Sequence, residues 1–400
     1  MRIVDVAEFY APHGGGVKTY LHQKLEAAAA AGHELVIIAP GPRTYMEERA
    51  GGRIWWVKAV QLPFDKRYYL FAKAAGVHAI LDREQPDVIE ASSTWRGAWI
   101  VAHWPGRAVS SLVLHQEPVS VYPHTLFDRF IAPRRLDAFF ARFWRYLRAL
   151  QAHYDTSVVS GAWLADRFAS FGCQRPFIAP FGIDKSAFSP RLRDPALRAN
   201  ILRSMDLDPN QAKLLVNVSR HHPEKRLPTV FDAIKRVNSH RPVGLLQIGS
   251  GPFSNAIQRK ARHNPYVSLH GFVEQRSEIA KLLASGDAMI HGGAAETFGL
   301  VVAEGLCSGL PLIVPDRGGA LDMVQPAYGQ VYKTGDTGSA AVAVNTLLDR
   351  DGPYVRRAVR QAVAQSIHAH WEHFEQLFGH YEDLCLQRGL PQPLRQRPAA

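Results

Sequence analysis

Four hundred residues, 46% of them hydrophobic, suffice for two domains that each bury a core. A net charge of +11 favours anionic partners: a nucleotide diphosphate, an anionic membrane surface or nucleic acid. The chain has no zinc-finger spacing, RNP-like aromatic motif or basic zipper, so nucleic acid is not expected as a partner.

No apolar run approaches the ~20 residues of a membrane span, and Met1 to Val6 lacks the apolar core and cleavage site of a signal peptide. Cys173, Cys307 and Cys385 form no C-x-x-C pair, so neither a disulfide framework nor a zinc site is indicated. The cytoplasm is the expected compartment.

The chain opens with a predicted strand, Arg2 to Val6, a loop A-P-H-G-G-G from Ala11 to Gly16, and a helix from Val17 to Ala31 that Gly32 ends. Glu34 to Ala39 is the next strand. Consecutive glycines before a helix let a ligand approach the backbone, and the helix start offers unpaired N–H groups. The loop is not the dinucleotide fingerprint, since Thr19 stands where a third glycine is needed. Strands are predicted at Ile54 to Val57, Asp87 to Glu90, Ser110 to His115, Thr156 to Ser160 and Pro176 to Ala179, with helices between. That alternation predicts a mostly parallel sheet covered on both faces, with ligands at the strands' carboxyl ends. His115 sits at such an end, although a lone histidine there is more often structural.

Phe127 to Gln151 is dense in aromatic and basic residues. Beyond Pro133, Leu136, Phe139, Phe140, Phe143, Trp144, Leu147 and Leu150 recur at helical spacing, while Arg135, Arg142, Arg145 and Arg148 fall mostly elsewhere. This reads as a core helix with a solvated basic face; the sharper alternative is a patch that meets anionic lipid or a lipid-linked acceptor. Lys185 to Ala212 is rich in proline and charge and predicts a hinge.

The second half opens with a strand from Lys213 to Ser219, then R-H-H-P-E-K from Arg220 to Lys225, which places two cations beside a strand end. Predicted strands Gly244 to Ile248 and Val267 to His270 lead into Gly249-Ser250-Gly251-Pro252 and Gly271-Phe272-Val273. From Asp287 to Val324 the pattern is strand, Gly-rich loop, short helix, strand. The helix is expected over Phe298 to Cys307, with Phe298, Gly299, Leu300 and Val301 in its first turn. Unpaired N–H groups and a positive helix dipole there suit a phosphate. Glu296 and Glu304 flank that turn and can accept hydrogen bonds from sugar hydroxyls. Ala340 to Leu348, Val355 to Gln365 and His370 to Leu386 read as helices, and the tail Gln387 to Ala400 as disordered. Two D-x-D triplets, Asp206 to Asp208 and Asp349 to Asp351, lie in predicted loops away from the Gly-rich segments.

The run E-T-F-G-L-V-V-A-E-G-L-C-S-G-L-P resembles the E-x7-E signature of glycosyltransferase family 4, and R-x-x-P-E-K and F-G-I-D follow the same family's pattern. Gly305 and Cys307 replace its usual alanines, Phe181 an asparagine, and Arg226 a glycine. The resemblance spans about Met1 to Leu386 and implies a GT-B fold: two Rossmann-like domains with parallel sheets facing across a cleft, 1–185 on the acceptor side and 186–369 binding the donor, the final helix 370–386 packing back on the first. It implies a retaining hexosyltransferase that needs no metal or cofactor, using GDP-mannose or a UDP-hexose and a lipid-linked or saccharide acceptor. Peripheral attachment to the inner face of the plasma membrane is a further expectation.

By the same resemblance, Gly15 and Gly16 lie against the donor's β-phosphate and His115 near its sugar. Arg220 and Lys225 stabilise the leaving group, Glu296 holds sugar hydroxyls and Glu304 the ribose. Gly249, Phe272 and Val273 surround the base, and Phe298 to Val301 bind phosphate. A sugar-nucleotide epimerase of the same shape and a nicotinamide-dependent oxidoreductase are the rival readings.

Overall fold

In the computed structural model, which describes residues 1–10, 16–63, 66 and 68–390, apolar runs and amphipathic helices build two large sheets, beside a short antiparallel pair of Val60–Gln61 with Tyr69–Leu70. Spatial order in the first is Phe177–Ile178, Thr156–Val159, Val109–Val113, Val88–Ala91, Arg2–Val6, Glu34–Gly41, Gly52–Lys58 and Tyr45–Arg49. Pairing is parallel except at Tyr45–Arg49, an antiparallel edge strand. Its sequence, Y-M-E-E-R, has no apolar run and mostly faces solvent, so only pairing marks it as a strand. The second sheet is wholly parallel: Val267–Gly271, Val243–Ile248, Lys213–Val218, Ala288–Ile290, Leu312–Pro315 and Gly329–Tyr332. Its strand order reverses between Lys213–Val218 and Ala288–Ile290, and in such doubly wound sheets ligands bind outside the strand ends at that reversal.

Both faces of each sheet are covered, which is why the strands read as nearly unbroken apolar runs. Val4, Val6, Val36 and Ile38 pack on one side of the first sheet, Ile3, Leu35 and Ile37 on the other with Leu21, Leu25, Phe374, Leu377 and Phe378. The last helix, His370–Gln387, therefore belongs to the first sheet's core although it follows the second sheet in sequence. The chain crosses beside Ile183, whose N–H donates to the His368 carbonyl at 2.8 Å. A buried polar knot ties the layers: the Lys24 ammonium donates to Asp5 at 2.9 Å and to Glu90, and the Tyr381 hydroxyl donates to Glu90 and accepts from the Ser111 hydroxyl at 3.0 Å.

Three expectations change. Lys185 to Ala212 is no open hinge, because it holds the helix Pro195–Arg203, capped where Asp194 accepts from the Leu197 N–H at 2.9 Å. Leu202, Met205 and Leu207 from this segment are buried in the second core. The basic aromatic segment is two helices, Pro133–Phe139 and Ala141–Gln151, broken at Phe140, preceded by a π turn over Ser120–His124. The helix expected from Phe298 begins at Leu300 because Gly299 takes a left-handed conformation (φ 91°) and stands outside it. Of the tail expected to be disordered, 391–400 lies outside the described residues.

Removing the ammonium from the knot would leave two buried carboxylates without a cation. Lys24→Met is expected to cost about 3–5 kcal/mol in urea unfolding; a loss below about 1 kcal/mol would show that the knot contributes little.

Candidate active site

The strand order brings three loops together at the reversal of the second sheet. One follows Lys213–Val218 and carries Arg220 and the single turn Pro223–Lys225. Another follows Ala288–Ile290 and runs from His291 to Gly299. A third follows Val243–Ile248 through Gly249, where close approach demands glycine: φ is 129°, and a Cβ would come within 2.2 Å of the Ser219 carbonyl oxygen.

These loops enclose a cavity of about 490 Å³. The structure places Arg220, Lys225, Gly249, Phe272, Val273, Glu296, Phe298, Gly299, Leu300 and Val301 around it, with Phe181 contributed by the first domain. Phe181 meets Phe298 edge-on at 5.5 Å, so the residue standing in for asparagine forms part of the wall. Leu300 and Val301 begin the helix Leu300–Cys307, where peptide N–H groups have no intrahelical acceptor.

Lys225 and Glu296 form the central contact, an ion pair between their ammonium and carboxylate. Burial alone would push the Glu296 carboxyl up, but Lys225 and the His291 ring outweigh it and hold the group well below the usual carboxylate range. His291 Nε2 lies 3.2 Å from the Glu296 oxygen, and the ring is almost wholly buried. Burial likewise pulls the Lys225 ammonium down, while Glu296 and Glu224 more than restore it, for a net rise. Glu224 also lies 3.5 Å from Arg220, whose side chain is 73% exposed and so remains free to swing onto a ligand.

His291 was missing from the sequence assignments. It directly follows the strand Ala288–Ile290 that leads to Glu296, so the available clue was its place just past a strand end at the reversal point.

Other predicted residues lie apart. Glu304 does not line the cavity; it is buried one turn into the helix against the Arg276 guanidinium. Burial pushes its carboxyl up and Arg276 only partly reverses this. Gly16 opens the helix Gly16–Ala30, and a Cβ there would meet nothing within 4 Å, so space does not require glycine. Gly15 lies outside the described residues.

His115 stands two residues beyond Val109–Val113, in edge contact with Tyr20 at 5.3 Å, and Tyr20 in turn meets Phe181 at 5.4 Å. It thus joins the cavity wall through two rings. The D-x-D aspartates serve local needs: Asp208 accepts from the Asn210 N–H at 3.0 Å, Asp349 pairs with Arg241, and Asp351 caps the helix Gly352–Ser366.

Family models match two stretches of the chain: "Glycosyltransferase Family 4" over residues 14–187 and "Glycosyl transferases group 1" over 202–365. The chain is 31% identical, over 90% of its length and 91% of the other, to a GDP-mannose-dependent alpha-(1-6)-phosphatidylinositol dimannoside mannosyltransferase of Mycobacterium tuberculosis. It is 26% identical to a GDP-mannose-dependent alpha-mannosyltransferase of Corynebacterium glutamicum, over 81% of this chain and 74% of that one. Among solved structures, sucrose-phosphate synthase from Thermosynechococcus elongatus superposes with a TM-score of 0.74 at 17% identity, covering 97% of this chain and 100% of that one. Anabaena Alr3699/HepE in complex with UDP and glucose superposes with a TM-score of 0.67 at 16% identity, covering 96% and 100%.

Beside the cavity, burial pushes both His115 and His373 down to about 4. His373 Nδ1 donates to the Pro180 carbonyl, so its Nε2 accepts from the Tyr20 hydroxyl at 3.1 Å, as a neutral ring requires. The unfolded chain, with ordinary histidines near 6.5, binds more protons below that pH. Stability is therefore full above about pH 6.5 and declines towards pH 4, by up to roughly 3 kcal/mol for each ring. His115→Asn should flatten the fall seen in urea titrations from pH 7 to 4.5; an unaltered slope would remove His115 as a source.

Proposed function

The chain belongs to glycosyltransferase family 4, a hexosyltransferase of GT-B architecture, and on that premise we propose that it transfers mannose from GDP-mannose to a phosphatidylinositol mannoside or related lipid-linked acceptor, with retention of configuration. The observation that carries this reading is the Lys225–Glu296 pair at the start of the helix Leu300–Cys307. It puts a cation, an acceptor-only carboxylate and unpaired N–H groups around one cavity. Similarity to mannosyltransferases over nine-tenths of the chain supports the donor. No observation favours the epimerase or the oxidoreductase reading.

In this mechanism the donor's diphosphate sits at the helix start, with Lys225 and Arg220 neutralising charge as the glycosidic oxygen departs. Glu296 holds sugar hydroxyls. The bond from sugar C1 to the diphosphate breaks while the acceptor oxygen bonds C1 on the same face, and the acceptor's proton passes to the departing phosphate oxygen. Two cations and a helix dipole supply the counter-charge, so the proposal includes no metal.

Turnover measured with GDP-mannose, UDP-glucose and UDP-N-acetylglucosamine on a phosphatidylinositol mannoside is expected to be highest with GDP-mannose. Glu296→Ala should lower kcat by roughly a hundredfold. Preference for a UDP sugar, or a Glu296→Ala enzyme close to wild type, would overturn the donor or the residue assignment respectively.

We further propose that the enzyme works at an anionic membrane surface on the cytoplasmic side. No described helix is long and apolar enough to cross a membrane. Phe127, Phe130, Ile131 and Phe139 are nevertheless exposed, Phe139 at 82%, beside exposed Arg129, Arg134, Arg135, Arg142, Arg145 and Arg148. Apolar side chains flanked by arginines suit a headgroup boundary. Wild-type protein should co-sediment with phosphatidylglycerol vesicles and not with phosphatidylcholine vesicles. Replacing Arg142, Arg145 and Arg148 with Glu should abolish this; unchanged binding would sink the membrane reading.

A further inference from the structure

Arg226, the residue after the cation of the active site, has a left-handed backbone (φ 46°, ψ 36°), a conformation that favours glycine. Its side chain crosses to the other domain. Arg226 donates to both Asp128 carboxylate oxygens, Nη1 to Oδ1 at 3.2 Å and Nη2 to Oδ2 at 2.8 Å, and Nη2 to the His124 carbonyl at 3.3 Å. Arg317, from the loop after Leu312–Pro315, donates to the same Asp128 Oδ2 at 2.7 Å. The Asp128 side chain is only 7% exposed, so this is a desolvated contact of one carboxylate with two guanidiniums. Solvent screening weakens surface pairs far more than one so enclosed.

The clasp adjoins the active site along the backbone. Arg226 follows Lys225, and Arg317 precedes Gly318 and Gly319. The Gly319 N–H donates to the Glu296 carbonyl at 2.7 Å, and a Cβ on Gly318 would come within 3.0 Å of the Ala294 carbonyl. Lys225 is therefore one residue from an arginine that grips the opposite domain, and the Glu296 carbonyl is held by a residue two positions beyond the other arginine. Between the domains at this seam remains a cavity of about 20 Å³, lined in part by His124, Trp163, Arg226 and Arg317, with room for about one water.

We propose that Arg226 is a cross-cleft positioning residue: with Arg317 it grips Asp128, closes the seam beside the donor cavity and holds Lys225 in register with Glu296. A residue shaped only by local packing would have no need of a left-handed arginine; glycine would serve there without strain. The second domain carries the donor cavity almost entirely, so the clasp bears on bringing the two domains together for transfer more than on holding the donor. The kinetic part of this inference rests on the transfer reading above, whereas its structural part does not.

Arg226→Gly and Asp128→Asn, singly and together, test it by small-angle scattering and steady-state kinetics. Arg226→Gly keeps the left-handed backbone without strain and leaves Arg317 on Asp128, so any fall in its melting temperature reports the lost ion pair and not the backbone. Each single variant should have a larger radius of gyration than wild type and a kcat lower by about tenfold, with the donor's KM within about twofold. The double variant should fall no further than Asp128→Asn alone, because that substitution already removes the Arg226 contact together with the one from Arg317. Unchanged scattering, unchanged kcat, a loss confined to donor KM, or additive losses in the double variant would each overturn the proposal. If the wild type proves inactive with every nucleotide sugar, the transfer reading fails and scattering alone decides whether the clasp closes the seam.

Discussion

A lysine ammonium held against a glutamate carboxylate at the reversal of a parallel sheet is the contact on which the site depends. Glu296 is partly buried, and a carboxyl left there without a cation would be driven toward its neutral form. Lys225 and His291 keep it ionised, and an ionised carboxylate only accepts hydrogen bonds, as holding hydroxyls requires. The sheet order makes the contact feasible. Lys225 and Glu296 are 71 residues apart in sequence, yet each follows one of the two strands that flank the reversal.

The first domain reaches that contact through packed rings. Tyr20 touches His115, Phe181, His373 and Phe374, and Phe181 touches Phe298. Tyr20 lies in the helix whose Lys24 is buried with Asp5 and Glu90, and His373 and Phe374 lie in the last helix, which Tyr381 anchors to Glu90. One wall of the cavity is thus fixed by a buried ionic knot behind it. Side chains supported this way lose little further freedom when a ligand binds, which favours a defined cavity.

Much of the site was legible in the sequence because its residues sit where single strands end. Arg220, Lys225, Gly249, Glu296 and the turn from Phe298 to Val301 are each recognisable from a short local pattern, and the topology then gathers them. The alternation of strands and helices exposed both sheets in the same way. What stayed hidden depends on contacts between distant segments. Nothing near Glu304 in sequence announces Arg276, and nothing near Arg226 announces Asp128, 98 residues away. The helix Pro195–Arg203 carried a local clue, Asp194 before Pro195, but its proline and charge content obscured it; burial of Leu202 and the pairing of Arg193 and Arg198 with Asp287 hold it in place. The edge strand Tyr45–Arg49 had no apolar pattern to read.

The charges around the cavity would couple phosphate binding to sugar binding. Lys225 is already satisfied by Glu296, and Arg220 is only loosely engaged with Glu224 at 3.5 Å. An arriving diphosphate would first meet Arg220, which is exposed and costs little desolvation, and the helix start behind it. It would then compete with Glu296 for Lys225. Each hydrogen bond that the ammonium transfers to phosphate frees a lone pair on Glu296 for a hydroxyl of the same ligand. A nucleoside diphosphate without its sugar would draw Lys225 away and leave that carboxylate oxygen with the His291 ring alone, and a free sugar would have to displace the lysine without offering it an anion. On the proposed transfer reading an intact nucleotide sugar would satisfy both groups at once, so the Lys225–Glu296 ion pair would favour the whole donor over either fragment.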